Sequence, residues 1–197
     1  MEIIDKRKEK RINAFLYFCR HTNERVLFQT KMYKLLFFLD FMNFKEVGKP
    51  VTDLEYYAWD KGPVPKKLYN EINKGTAPKE ILLSIIPIKD DETGERIGIK
   101  CKTNIKPNLK VFSRRELKLL EDLAYIFKDA KSEEIVEITH LKNEPWNKTK
   151  RTLGMYKLID YTLALDNDAK IDRETALEKY KRLLETEAFF GVRDKNP

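Results

Sequence analysis

The chain has 197 residues and a mass of 23.4 kDa, the length of one ordinary globular domain, and its 42% hydrophobic and 11% aromatic content suffices for a core and argues against disorder. No apolar run approaches the ~20 residues that span a bilayer, the charged start from Met1 is unlike a signal core, and the two cysteines, Cys19 and Cys101, make neither a disulfide framework nor a zinc knuckle. A cytoplasmic protein is the expectation. The net charge of +7 gathers in two segments: Lys6, Arg7, Lys8, Lys10 and Arg11 against Asp5 and Glu9, and Lys142, Lys148, Lys150, Arg151 and Lys157 against Glu144. Were they to share a face they could attract an acidic partner or a phosphate backbone; two ordinary solvated helix faces are the preferred account.

Residues 8–21 predict an amphipathic helix through Ile12, Phe15, Leu16 and Cys19. Residues 30–46 predict a second that is apolar nearly all round and therefore central to the core, stopped by Gly48. Leu54–Trp59 suits a short strand, and Asp60–Pro65 a stiff turn leading into a helix over 65–74 that Gly75 ends. Strands at 81–88 and 96–101 pair through the loop at 90–94, with Pro87 at an edge or an end. A loop follows over 103–111. Ser113 and Glu116 form a capping box for a helix carrying Leu117, Leu120, Leu123, Ala124 and Phe127. Ser132 is expected to cap the next helix and Pro145 to end or restart it. Another helix is expected over 154–165, then a last one capped by Asp172 with Leu177, Tyr180, Leu183 and Leu184 inward. The fold class is α+β, predominantly α-helical, with helices around a central apolar helix and a small antiparallel β-sheet.

Catalytic signatures are sparse. His21 and His140 are the sole candidate imidazole bases, and Cys19 lies two residues from His21, a spacing that does not face it on a helix. No Walker loop, dinucleotide fingerprint or nucleophile elbow occurs. Glu137-x-x-His140 has the spacing of one half of a di-iron site without the other half. Neither an RNA-cleaving Arg–His helix nor a base-reading helix is supported, since Lys66, Lys67 and Lys74 could touch phosphate but not read bases. No catalytic residue, cofactor, metal or nucleic-acid partner is therefore assigned.

Two constellations are unusual. Asp40 interrupts the apolar central helix and is followed by Tyr56-Tyr57-Ala58-Trp59 and Lys61-Gly62-Pro63-Val64-Pro65. A buried carboxylate needs donors or a cation, so the group reads either as an internal latch or as a rigid aromatic surface braced by prolines for a partner. The second is Thr139–Trp146, in which His140 could orient Trp146 through a hydrogen bond, as a capped corner on the core or as a ligand site.

Lys34-Leu-Leu-Phe-Phe-Leu-Asp-Phe41, Phe44–Pro50, Tyr56–Pro65 with Leu68-Tyr69, and the later His140…Asn143-Glu-Pro-Trp146 and Ile159-Asp-Tyr161 together resemble the Panacea domain, the SocA-like antitoxin or phage-associated protein family, over about residues 11–165. The resemblance implies one domain over 1–197, with 166–197 as a C-terminal helical extension. It also implies a non-enzymatic antitoxin that binds and neutralises a toxin encoded beside it, or alternatively a proteolytic adaptor or phage-associated interaction module; an enzyme acting on RNA or nucleotides is the third reading. Trp59, Lys61, Trp146 and exposed residues of the last helix are the candidate partner contacts. Asp40, Tyr57, Gly62, Pro63, Pro65, His140 and Pro145 are read as structural members of the motif.

Overall fold

The structure, a computed structural model, describes residues 5–190. In chain order it comprises α1 (Lys6–His21), α2 (Gln29–Val47), β1 (Tyr56–Trp59), β2 (Gly62–Pro65), α3 (Lys66–Lys74), a helical turn α4 (Lys79–Leu82), β3 (Ile85–Lys89), β4 (Arg96–Cys101), α5 (Arg114–Ile126), α6 (Ser132–Thr139), α7 (Pro145–Thr152) and α8 (Arg173–Phe189), with 3-10 turns at Leu109–Val111 and Tyr161–Ala164. It is α+β and predominantly helical.

Helix α2 is the pillar. Leu35, Leu36, Phe37, Leu39 and Phe44 are fully buried, and α1, α5, α6, β2, β4 and the 161–164 turn all pack around it. An apolar cylinder has no intrinsic preference for how its neighbours sit, so its few polar side chains acquire a positioning role. Lys31 Nζ donates to the carbonyls of Lys128 and Ala130 at 3.1 and 2.7 Å, holding the α5–α6 connection. Lys34 Nζ donates to the Pro63 carbonyl at 2.9 Å, holding β2. Asn43 Nδ2 donates to the Lys49 carbonyl at 2.7 Å, closing the helix end beside Gly48, which adopts φ +72°. Helix α8 lies so close that a Cβ on Gly48 would stand 2.8 Å from the Ala176 Cα.

Several expectations are corrected. The sheet is two separate antiparallel hairpins, β1–β2 and β3–β4. Asp60 and Lys61 alone form the first turn, and Gly62–Pro65 pairs as a strand (Trp59↔Gly62, Ala58↔Pro63). Its prolines are tolerated because the carbonyls opposite them face the other way and need no donor from β2: Ala58 accepts from Tyr156 N–H at 2.7 Å and Tyr56 from Ile159 N–H at 2.8 Å. Residues 79–82 are helical, so β3 starts at Ile85 and not at 81. The 103–111 loop contains a 3-10 turn. Ser132 is the first residue of α6, and Lys131 is the cap residue. Residues 154–165 are not an α-helix. Gly154 (φ +93°) and Tyr156 (φ +62°) break the helical path, and the chain instead runs beside β1 before the 161–164 turn. Helix α8 buries Ala176 and packs Tyr180 on Phe44 and Tyr161, leaving Leu177 45% exposed.

Candidate interaction surface

Strand alternation sorts the aromatic hairpin into two faces. Tyr56 and Ala58 point inward and are buried, whereas Tyr57 and Trp59 point outward and are half-buried. On the other edge of β1, Tyr156 N–H donates to the Ala58 carbonyl at 2.7 Å and Ile159 N–H to the Tyr56 carbonyl at 2.8 Å, with Tyr57 opposite Leu158. That register sets Tyr156 and Leu158 on the outward face beside Tyr57 and Trp59. Tyr156 is 58% and Leu158 46% exposed, and Leu153 just before them is exposed as well. Trp59 meets Tyr69 edge-on at 4.9 Å and Tyr156 at 6.2 Å, while Lys66 Nζ sits 5.0 Å above the Tyr57 ring. Lys61 is exposed at the hairpin tip.

Tyr156 holds a left-handed backbone that a bulky side chain adopts rarely. Its N–H bond to Ala58 and its hydroxyl, which donates to Asp60 Oδ2 at 2.8 Å, keep it there. Such strain costs about 1–3 kcal/mol and persists where neighbours over-determine the conformation. Sequence reading missed this residue, since its significance comes from a φ angle that no residue pattern announces. Leu158 was missed for a related reason: a helix was expected where a strand-like segment runs.

Of the motif residues read as structural, Tyr57 lies outward, and the inward face explains the others. Asp40, fully buried, accepts at Oδ1 from Val51 N–H (2.8 Å) and Thr52 N–H (2.6 Å), and at Oδ2 from the Thr52 hydroxyl and the Tyr56 hydroxyl (2.9 Å). The Tyr161 hydroxyl, 3.4 Å away, has its better acceptor in the Leu54 carbonyl at 2.6 Å. Asp40 thus ties α2 to the loop, to β1 and to the 161–164 turn. Burial pushes its carboxyl up to about 6 against the opposing pull of these donors. Gly62 takes φ +90° at a point where a Cβ would stand 2.8 Å from both Lys34 Cε and Thr139 Oγ1. Pro63 supplies the carbonyl for Lys34, whose ammonium makes no ion pair among the described residues and which burial lowers to about 7. Pro65 precedes α3 as its cap residue, and Pro145 opens α7 at its first turn.

Trp146 is 2% exposed, so it offers no surface to a partner and stands with the structural residues. Its indole N–H donates to the Trp59 carbonyl at 3.0 Å. His140 stacks on the ring at 3.7 Å and 16°, a face contact where a hydrogen bond was expected, and its Nε2 is buried without a partner. Burial first, then the charges of Lys34 and Lys150, lower its basicity. Both thiols are buried, and burial raises Cys101 to about 12 and Cys19 higher still, opposite to what a nucleophilic thiolate needs. Among the described residues, no group of three or more His, Cys, Asp or Glu could hold a metal, and no helix is long and apolar enough to cross a membrane.

A pillar helix latched by Asp40 to a proline-braced aromatic hairpin, with His140 stacked on Trp146 beneath it, defines an α+β domain whose conspicuous residues build a scaffold. Residues 32–147, more than half of the sequence, match the family "Antitoxin SocA-like, Panacea domain", and the chain belongs to that family. The match runs from the first turn of α2 into α7, and thus spans Lys34, Asp40, the hairpin and the His140–Trp146 stack, with all of α1 and α8 outside it. No curated protein and no solved structure matches the chain.

Proposed function

We propose that the chain neutralises a cognate toxin protein by binding it directly, without a chemical step, through the outward face formed by β1 and residues 154–159. Membership of an antitoxin-like family supports a toxin as partner. The observation that carries the choice of surface is Tyr156, a strained, exposed tyrosine aligned with Trp59 and Leu158. Aromatic side chains held rigid lose little entropy on binding and are frequent interface anchors. A stable complex buries about 1,600 Å² in total, enough to cover a catalytic cleft. The exposed apolar strip from Leu153 to Leu158, with Lys61 and Lys66 around it, suits the centre and rim of such a contact.

Tyr156→Gly separates surface from scaffold. Glycine accommodates φ +62°, so the variant melts at or above the temperature of the parent, while loss of the ring weakens binding about tenfold or more. The test is co-expression with the product of the neighbouring gene, scored by growth rescue and co-purification. A Tyr156→Gly protein that rescues and co-purifies like the parent rejects this surface. No complex with either form rejects direct neutralisation, and a complex that leaves the toxin active but shortens its lifetime marks a proteolytic adaptor.

A further inference from the structure

The excess positive charge of the chain lies in two sequence segments, and their surroundings in the fold differ. In α1, Arg7 pairs with Glu187 at 3.1 Å, Lys10 with Glu116 at 2.6 Å and Arg11 with Glu71 at 3.6 Å, which neutralises three of the five cations there. In the second segment Lys142, Lys148, Lys150, Arg151 and Lys157 make no ion pair among the described residues. Nor do Lys61 at the hairpin tip or Lys66 and Lys67 in the first turn of α3, all three exposed.

These unpaired charges flank the aromatic face. Lys66 Nζ sits 5.0 Å above the Tyr57 ring, and Lys66, Lys67 and Lys74 line a groove of about 410 Å³ beside it. Of the two acids in that groove, Glu71 is already held by Arg11, which leaves Glu55. On the other flank the Lys157 carbonyl accepts from Ala58 N–H at 2.9 Å. Lys150 Nζ lies 5.1 Å from the ring of Trp146, whose N–H reaches the Trp59 carbonyl. Asp60, the acid of the hairpin tip, is engaged by the Tyr156 hydroxyl at 2.8 Å. Like charges gathered on one face repel one another in the folded chain, whereas they attract the opposite sign on a partner.

We infer that the partner covers this face with an acidic surface, its carboxylates meeting Lys61, Lys66, Lys67 and Lys157 around an apolar centre seated on Tyr156 and Leu158. The centre excludes water, and the charged rim sets partner choice and the rate of approach. A nucleic acid fits this face less well. Bases stack on open ring faces, but Trp59 meets Tyr69 and Tyr156 at 66° and 63°, and Lys66 covers the Tyr57 ring. The most exposed apolar side chain of the strip, Leu153 at 62%, is aliphatic. The inference deepens the proposed function by giving the toxin's contact surface a charge, and it rests on that reading in taking the partner to be a protein.

The probe is a synthetic peptide carrying leucine–tryptophan–leucine between two triglutamate runs, and its control has glutamine in place of every glutamate. Each is titrated into the isotope-labelled full chain at low salt and followed by amide chemical shifts. The glutamate peptide is expected to shift residues 57–67 and 150–158 saturably, to weaken with added salt, and to bind about tenfold or more tighter than the glutamine peptide. The double variant Lys66→Glu/Lys157→Glu, both positions exposed, lowers affinity about tenfold or more with an unchanged melt. Lys49→Glu/Lys179→Glu, two equally unpaired cations lining a cleft between α1 and α8, changes it by less than about twofold. No saturable binding, equal affinity for the two peptides, or equal losses from the two variant pairs overturns the inference. An oligothymidylate strand that displaces the peptide at lower concentration than unlabelled peptide overturns it in favour of a nucleic acid. No toxin enters this experiment. If it fails while Tyr156→Gly loses rescue, the surface stands and only its acidic partner falls; if the peptide binds here while Tyr156→Gly rescues like the parent, the acidic site stands and the toxin contact lies elsewhere.

Discussion

Replacing Asp40 by alanine removes one carboxylate from four donors. The Val51 and Thr52 amides, 2.8 and 2.6 Å from Oδ1, are main-chain groups that cannot turn away. At about 1–3 kcal/mol for each buried donor left unsatisfied, they alone cost about 2–6 kcal/mol. The Thr52 and Tyr56 hydroxyls can partly re-aim and add less. The sum is a large share of the 5–15 kcal/mol typical of a folded domain, so Asp40→Ala is expected to be unfolded or nearly so at 37 °C. Asp40→Asn is the control. Its amide oxygen can accept from both main-chain N–H groups while its NH₂ faces two hydroxyls able to act as acceptors, and the cost falls below about 2 kcal/mol. The pair also differs in pH dependence. Burial raises Asp40 to about 6 from an ordinary 3.8, so between those values the folded chain holds a proton that the unfolded chain has released. Its contribution to stability therefore falls as pH rises from about 4 to 6 and is flat above. Urea unfolding followed by circular dichroism across that range, read as the parent minus Asp40→Asn difference, isolates this slope from that of other carboxylates. An Asp40→Ala protein within 1 kcal/mol of the parent, or one no worse than Asp40→Asn, refutes the latch.

Two further perturbations probe the same scaffold. Gly62→Ala combines a left-handed backbone with 2.8 Å approaches to Lys34 Cε and Thr139 Oγ1, and is expected to cost more than about 2 kcal/mol, whereas Gly75→Ala, at φ +70° with nothing within 4 Å, costs about 1 kcal/mol. Thermal melts of the two variants decide it, and equal shifts would rule out the steric contribution. Lys34, lowered by burial to about 7, is charged at a penalty in the folded chain below pH 7, and between 7 and 10.5 the unfolded chain holds the extra proton, so stability from this group rises with pH. Lys34→Met removes the penalty and the slope together: at pH 6 it is expected to be at least as stable as the parent, with the parent gaining on it by pH 9.5. A parent–variant difference that does not move with pH in urea titrations contradicts this assignment.

The parts legible in the sequence were those written in local chemistry. The capping box of Ser113 and Glu116, the stops at Gly48 and Gly75 and the all-apolar face of α2 each rest on a physical preference within a few residues, and each is present. What failed was decided across the chain. Gly62–Pro65 reads as a turn because two prolines argue against a strand, yet pairing is possible once the Ala58 carbonyl opposite Pro63 accepts from Tyr156 N–H, a residue nearly a hundred positions away. Residues 154–165 read as a helix on composition, and the same contact draws them along β1. The burial of Trp146 followed from neither its neighbours nor its spacing, because the His140 stack and the Trp59 carbonyl are tertiary.

The distribution of polar groups on α2 ties these observations together. Lys31 and Lys34 each join a different neighbour to α2, Asp40 and Asn43 hold the segment that follows it, and each bond is to main chain or to the hydroxyls of Thr52 and Tyr56. Bonds to main-chain groups fix where a segment lies without prescribing the side chains it carries. The scaffold can therefore keep its geometry while outward positions such as Tyr57, Trp59, Tyr156 and Leu158 change. For a fold whose proposed task is to cover another protein, this is the useful division: specificity sits on side chains that the pillar does not need, and rigidity on bonds that the binding surface does not touch. Exchanging those four outward side chains should alter partner choice with little change in stability, whereas altering any α2 staple should do the reverse.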